Sequence, residues 1–325
     1  MRRLSSFVSA LVVLAVASSA DAQSSSPPRR AHHALGYDDA RQRVLLTGGS
    51  TPLDGGQRYE FFNDLWAFDG RRWTPLGSSG DQMSGSRLAF DTRRNRMLSF
   101  GGFLGTTSTG VVRVLDSLSW RTTGDHTPMP AAEPGFVYDS RRDRFVAFGG
   151  SAGRGQAHAD TWEYDGTSWT KAAVSSPPAR QAAAMVFDTN RGKTVLFGGA
   201  PVATGGQPPS PLGDTWEYDG TRWTQIPVTG PSGRHSAGIT FDTKRGLVIL
   251  FGGIDSAGFK GDTWSWNGTE WRALADGGPE PRAMGYIAYD KRRDRVVLFG
   301  GRKGWPNGDL DDTWEWDGTV WRRVP

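Results

Sequence analysis

Residues 134–150, PGFVYDSRRDRFVAFGG, and residues 160–170, DTWEYDGTSWT, hold in one pass the pattern that decides the fold. Gly135-Phe136-Val137-Tyr138 reads as a short strand a, and Asp139 to Asp143 as a polar turn whose leading aspartate can accept from backbone amides. Arg144 to Phe148 reads as strand b, and its near-continuous apolar run suits a strand covered on both faces. Gly149-Gly150 ends it, because glycine tolerates positive φ and lets a neighbouring backbone come close. After a variable loop, Asp160-Thr161-Trp162-Glu163-Tyr164 alternates as strand c, and Asp165-Gly166 is the strong hairpin signal that returns the chain into strand d at Ser168-Trp169-Thr170.

The same unit occurs six times. A Tyr/Phe-Asp pair precedes Gly-Gly by eleven residues at Tyr37/Gly48, Phe90/Gly101, Tyr138/Gly149, Phe187/Gly198, Phe241/Gly252 and Tyr289/Gly300. Successive glycine pairs lie 48 to 54 residues apart, the period of propeller blades rather than of independent domains. The hairpin recurs as Asp69-Gly70, Asp219-Gly220, Asn267-Gly268 and Asp317-Gly318, and unit two alone breaks it with Asp116-Ser117. Tryptophans seven apart accompany it, as in Trp66/Trp73 and Trp314/Trp321, so that eleven of the fourteen tryptophans sit at repeated positions. Recurrence in every unit is what packing between sheets demands, each ring burying on the order of 200 Å².

On these residues the chain resembles kelch-repeat proteins, whose signature is a hydrophobic strand ending in Gly-Gly followed by an aromatic hairpin ending in tryptophan. The resemblance covers residues 30–325 and implies an all-β fold, a six-bladed β-propeller of four-stranded antiparallel blades around a central channel. Unit two has Val111 and Arg113 where the others have aspartate and tryptophan, so its outer half is expected to be weaker. Each unit runs from strand a to strand d in its own segment, which predicts closure by packing of blade six on blade one, without an exchanged strand and with that seam the softest.

Residues 1–22 read as a bacterial-type signal peptide: Arg2 and Arg3 precede an apolar run from Phe7 to Ala17 and the small-residue site Ala20-Asp21-Ala22. Cleavage is expected near Ala22-Gln23, followed by a disordered N-terminal segment over 23–29 and by the propeller over 30–325. The run is shorter than the roughly 20 residues of a membrane span, which points to a secreted or periplasmic protein with no membrane span. The chain has no cysteine, which excludes disulfides and thiolate metal sites. A net charge of +4 is mild, and bases and acids interleave in every repeat, so no nucleic-acid partner is expected.

In a propeller the a–b and c–d turns share one face, the b–c and d–a loops the other. The a–b turns carry sixteen Lys and Arg residues, from Arg41 to Arg295. Aspartates beside them, Asp38 and its counterparts, are expected to pair with them across the turns at about 0–1 kcal/mol each, and the regularity of the turns favours this over an anion-binding ring. Variation lies in the opposite loops, where a specific site belongs. Units one and six become neighbours on closure, bringing Arg58, Tyr59, Phe61 and Phe62 near Arg302, Lys303 and Trp305, a mixture that can stack a sugar ring and grip an anion; the competing expectation tucks Phe61 and Phe62 beneath their own loop. Arginines that begin strand a, Arg30, Arg180, Arg234 and Arg282, recur and read first as scaffold, though Arg234 and Arg282 at a channel mouth could also bind carboxylates. His126, Glu133 and His158 could meet at one edge of that mouth, but their spacing matches no metal-ligand motif. Asn267-Gly268-Thr269 fits a glycosylation pattern and is already explained as a hairpin turn.

The leading expectation is an exported interaction scaffold, monomeric, holding a protein or glycan partner on its variable loop face, with no cofactor and no metal. The alternative is a carbohydrate-active enzyme, since some exported kelch propellers of similar size interconvert sialic acid anomers. It would need Glu60, Glu133 or His158 to serve as acid or base with Arg234 or Arg282. A copper-radical oxidase resembling galactose oxidase is excluded, because that cofactor requires a cysteine linked to tyrosine.

Overall fold

A computed structural model describes residues 26–325 except Ser79, Thr106, Ser117, 127–128, 154–155, 202–209 and 275–276. The proposed signal segment therefore lies outside the described residues. Each repeat forms one antiparallel sheet of four strands. Blade one holds Ala34–Asp38, Arg43–Thr47, Asp64–Phe68 and Trp73–Ser78; blade two Arg87–Asp91, Arg96–Phe100, Val111–Asp116 and Ser119–His126. Blade three holds Gly135–Asp139, Arg144–Phe148, Thr161–Tyr164 and Trp169–Lys171; blade four Ala184–Asp188, Lys193–Gly199, Leu212–Tyr218 and Trp223–Ile226. Blade five holds Gly238–Asp242, Leu247–Phe251, Thr263–Trp266 and Trp271–Ala273; blade six Ile287–Asp290, Arg295–Arg302, Asp309–Trp316 and Trp321–Arg323. Strands a touch one another in order around the ring, blade six against blade one, so the sheets close a six-bladed β-propeller. Among the described residues no helix is long and apolar enough to cross a membrane.

The register follows from the turns. The aspartate that ends strand a faces the first residue of strand b, as in Asp38 with Arg43 and Asp139 with Arg144. Its carboxylate accepts the amides of the turn, Asp139 Oδ1 from Arg141 and Arg142 at 3.0 and 3.1 Å. Strand b is covered on both faces: Val44, Leu45 and Leu46 are fully buried between adjacent sheets. The hairpin glycine has a second reason to lack a side chain. Gly220 (φ +95°) and Gly318 (φ +101°) take the positive φ of the turn, and a Cβ on either would collide with Arg142 or Arg245 reaching over from the preceding blade.

The blades meet through two bonds that recur. The amide of the second glycine donates to a carbonyl of the next blade: Gly49 to Met83, Gly102 to Ala131, Gly150 to Arg180, Gly199 to Arg234, Gly253 to Arg282 and Gly301 to Arg30, at 2.7–2.9 Å. The strand-d tryptophan donates its indole N–H to a strand-c threonine of the preceding blade, in Trp223 to Thr161, Trp271 to Thr215, Trp321 to Thr263 and Trp73 to Thr313, each at 2.9 Å.

Closure without an exchanged strand is what the topology has, but the expectation of a soft closing seam is corrected. The contact of blade six with blade one carries both bonds, Gly301 to Arg30 and Trp73 to Thr313. The departures lie on either side of blade two. Leu65 and Val112 stand where the other blades have threonine, and the indole nitrogens of Trp120 and Trp169, packed beside them, are buried without a partner. Blade two nevertheless builds a long outer hairpin, and Arg113, buried at the tryptophan position, pairs with Asp81 at 2.5 Å. Residues 26–29 lead directly into the ring: Pro27 is buried, and the Pro28 carbonyl accepts from Arg30 Nε at 3.0 Å.

The indole bonds give a test. Thr161→Val leaves the Trp223 N–H buried and unpaired and is expected to lower the unfolding free energy by about 1–2 kcal/mol. Val112→Thr offers Trp169 the missing acceptor and is expected to change stability by less than about 0.5 kcal/mol, because a new hydrogen bond offsets the buried hydroxyl. Urea unfolding of the two variants beside the parent chain measures both.

Candidate functional site

Four blades repeat one buried ion pair. Arg30, Arg180, Arg234 and Arg282 are essentially fully buried, and each guanidinium takes Asp64, Asp214, Asp262 or Asp312 through both carboxylate oxygens at 2.5–3.0 Å. The same Nη1 donates to the first glycine carbonyl of the blade, Gly48, Gly198, Gly252 or Gly300, and Nε to the carbonyl two residues back. The second carboxylate oxygen also accepts the strand-c indole, from Trp66, Trp216, Trp264 or Trp314. Arg234 adds Ser232 Oγ, so all five of its N–H groups have partners. Arg234 and Arg282 are therefore scaffold, and their candidacy as ligand-binding residues is corrected: every charge that would grip a carboxylate already grips one.

The turn face is engaged in the same way. Arg94 and Arg245 each bridge the aspartate of their own turn to one in the next blade, Asp143 and Asp294. Arg142, Arg191 and Arg293 each pair with their turn aspartate and with a strand-c glutamate, Glu163, Glu217 and Glu315. Asp165, at a hairpin tip, is held below the carboxylate range chiefly by the backbone amide of Ser168.

On the opposite face the b–c loops of blades one and six meet, since a side chain at Gly56 would touch Pro306. The expected bases are each occupied there. Arg58 bonds Asp54 at 2.7 Å, Arg302 is buried against Asp309 at 2.5 and 3.1 Å, and Lys303 reaches Glu280 at 2.7 Å. Phe62 is buried against Arg30, 3.9 Å from guanidinium carbon to ring centre. What stays open is aromatic: Tyr59 is 43 % exposed, Phe61 lies half-buried beside it, and Trp305 is 59 % exposed on the Arg302 guanidinium at 4.3 Å.

The set His126, Glu133 and His158 does not assemble. His158 Nε2 hydrogen-bonds the Pro130 carbonyl at 2.9 Å, and the His126 side chain lies outside the described residues. Glu133 instead meets His32, from two blades away, at 2.9 Å. The two stand at equivalent positions, five residues before the Tyr/Phe-Asp pair, where six residues form a closed hydrogen-bonded ring about the axis. His32 N donates to Met284 O, Gly85 to His32, Glu133 to Gly85, Ala182 to Glu133, Ser236 to Ala182 and Met284 to Ser236, at 2.7–3.1 Å. Gly85 leaves the space that the Glu133 side chain fills. Burial alone would raise the Glu133 carboxyl, but the charge and hydrogen bond of His32, with Arg87 and His235, outweigh it and hold it at about 2. His235 is pushed down by burial first, and the Tyr286 phenol is pushed up to about 12, again chiefly by burial. Sequence reading missed His32, Arg87, His235 and Tyr286, although alignment of the repeats carries a signal. Three residues before the pair, Arg87 and Tyr286 stand against Ala34, Gly135, Ala184 and Gly238. Among the described residues no cluster of three His, Asp or Glu side chains has the geometry of a metal site. Glu60 is exposed on the hairpin of blade one's loop, so the acid–base and arginine sets of the enzymatic alternative are not brought together.

Among known proteins, the family model described as the KLHDC2/KLHL20/DRC7 Kelch-repeats domain matches residues 92–301, about two thirds of the chain. No curated protein matches it.

The buried pairs predict an acid response. For Asp214, Asp262 and Asp312, burial would raise the carboxyl, yet the arginine and tryptophan bonds outweigh it and the net shift is downward. A carboxyl depressed on folding stabilises fully above its unfolded value near about 4, and that contribution is lost as pH falls through the folded value. Arg282→Met strands Asp312 and is expected to cost about 3–5 kcal/mol at pH 7. In urea unfolding from pH 7 to pH 3 the gap to the parent chain should begin to narrow above about pH 4, where burial makes the unpaired Asp312 take up a proton, and narrow further below it as the parent loses its own pair.

Proposed function

The chain belongs to the kelch-repeat family, whose propellers serve as protein-interaction scaffolds, and on that premise we propose that it holds a protein partner against the b–c loop face where blades one and six meet. The observation that carries this reading is the contrast between the two faces. The arginines of the turn face are largely tied to neighbouring carboxylates, whereas Tyr59 and Trp305 stand exposed on loops that differ from every other b–c loop. Exposed aromatic rings anchored on engaged charges are the side chains that dominate binding energy at interfaces.

Trp305 has the form of such an anchor, since its ring is braced from behind by Arg302, itself fixed by Asp309. The aromatic pair also suits the face of a sugar, so a glycosylated partner fits the same surface. The signal-like residues 1–22 support action outside the cytoplasm, in a periplasm or beyond the cell, with the propeller working as a monomer.

A photo-reactive amino acid at position 305 is expected to capture one discrete protein adduct in cells, while the same group at position 292 on the turn face captures none. With the captured protein purified, Tyr59→Ala with Trp305→Ala should weaken binding by at least about tenfold at unchanged melting temperature. Equal capture from both faces would refute the loop-face assignment.

A further inference from the structure

The six strands a enclose an axial channel that opens on the a–b turn face. Its outer chamber, about 230 Å³, is walled by apolar side chains such as Leu88, Phe136, Met185 and Ile239. Its rim carries the hydroxyls of Thr92, Ser140, Thr189 and Thr243 and the Lys291–Asp39 ion pair, 2.6 Å long. Toward the loop face lies a second, smaller chamber of about 80 Å³ that shares Leu35, Leu88, Phe136, Met185, Ile239 and Ile287 with the first, so the two lie end to end along the axis.

The inner chamber is lined by apolar side chains with two exceptions, Arg87 and Tyr286. The Arg87 guanidinium lies on the Tyr286 ring, 4.2 Å from its centre, and Nη1 donates to the Ser86 carbonyl at 3.1 Å. The Tyr286 hydroxyl is buried, at a residue 8 % exposed, and has no partner at full hydrogen-bond geometry, with Arg87 and Glu133 the polar side chains that act on it. A buried hydroxyl without a partner is unfavourable, and here it stands next to a cation in an apolar chamber that leads to solvent. The nearby acid, Glu133, is hydrogen-bonded to His32 at 2.9 Å and acts on Arg87 through charge alone, so among the described residues the Arg87 guanidinium makes no salt bridge.

We propose that the axial channel binds an amphipathic monocarboxylate entering from the a–b turn face, with its carboxylate received by Arg87 and the Tyr286 hydroxyl and its hydrocarbon chain along the strand-a walls. A planar carboxylate offers one oxygen to the guanidinium and one to the phenol, which donates. One cation and one neutral donor suit a single negative charge better than a phosphate dianion. A five-residue strand spans roughly 17 Å, deep enough for an eight-carbon chain. The site lies on the axis and is reached from the face opposite Tyr59 and Trp305, so its failure and that of the loop-face reading are distinguishable.

Isothermal titration of the full chain with octanoate tests this. Saturable one-to-one binding is expected, with octan-1-ol and octylamine weaker by at least about tenfold, since each lacks the charge that Arg87 receives. Arg87→Gln should weaken octanoate by about tenfold or more, and Tyr286→Phe, which removes one oxygen from a well-packed ring, by about three- to tenfold. Thr243→Trp at the rim should slow or abolish binding while leaving any loop-face partner unaffected. Far-UV circular dichroism and melting check that each variant is folded. Absence of saturable heat with octanoate, equal binding of octanoate and octan-1-ol, or unchanged affinity in folded Arg87→Gln and Tyr286→Phe would each overturn the proposal.

Discussion

Every seam of the propeller depends on one close approach, between the glycine pair that ends strand b and the backbone that begins strand a of the next blade. The second glycine donates its amide to that backbone, and the first leaves room for the same carbonyl. A Cβ at Gly48, Gly101, Gly198 or Gly252 would fall on the carbonyl oxygen of Met83, Ala131, Arg234 or Arg282. Because ring closure demands that six sheets meet in one register, the constraint recurs wherever a blade ends, and the Gly-Gly pair is the least variable mark of the repeat.

The buried arginine adds what the backbone bond lacks, a link between the beginning of a blade and its outer half. Arg282 ties the first glycine carbonyl of its blade, Gly300, to Asp312, and Asp312 in turn holds Trp314. A charge this deeply buried is tolerated because four of its five N–H groups have partners and the carboxylate faces it with both oxygens. The same logic accounts for much of the basic composition. The arginines of the a–b turns lie across seams, over hairpin glycines and against aspartates and glutamates of their own and neighbouring blades, so many of the chain's bases serve to join the blades.

What could be read in the sequence was whatever the repeat enforces in phase. Strand order, the Asp-Gly hairpins, the turn aspartates and the glycine pairs follow from local chemistry copied six times. The partners of individual charges were harder. Arg234 and Asp262 are 28 residues apart, and only the folded blade makes a fork of them. Arg58 with Asp54 is a local pair that loop reading treated as a free base. The axial cluster escaped for another reason: its members lie about 100 residues apart, as His32 and Glu133 do, and meet only because a ring brings equivalent positions of separate blades to one axis. Comparison of the repeats position by position, rather than along the chain, is the reading that exposes them.

The irregular blades supply half of the axial cluster. Blades two and three lack the buried arginine, having Met83 and Ala131 in its place, and Trp120, Trp162 and Trp169 there leave their indole nitrogens unpaired. Those two blades supply Gly85, Arg87 and Glu133 to the axis. Local rules are most often broken where a protein has a use for the exception. At the position of Arg87 four of the other five blades have a small residue and blade six has Tyr286, so the axis owes its cation at that level to blade two. The two less complete seams thus lie on the side of the ring that supplies Arg87, while the closing seam of blades six and one keeps both recurring bonds beneath the exposed aromatic loops.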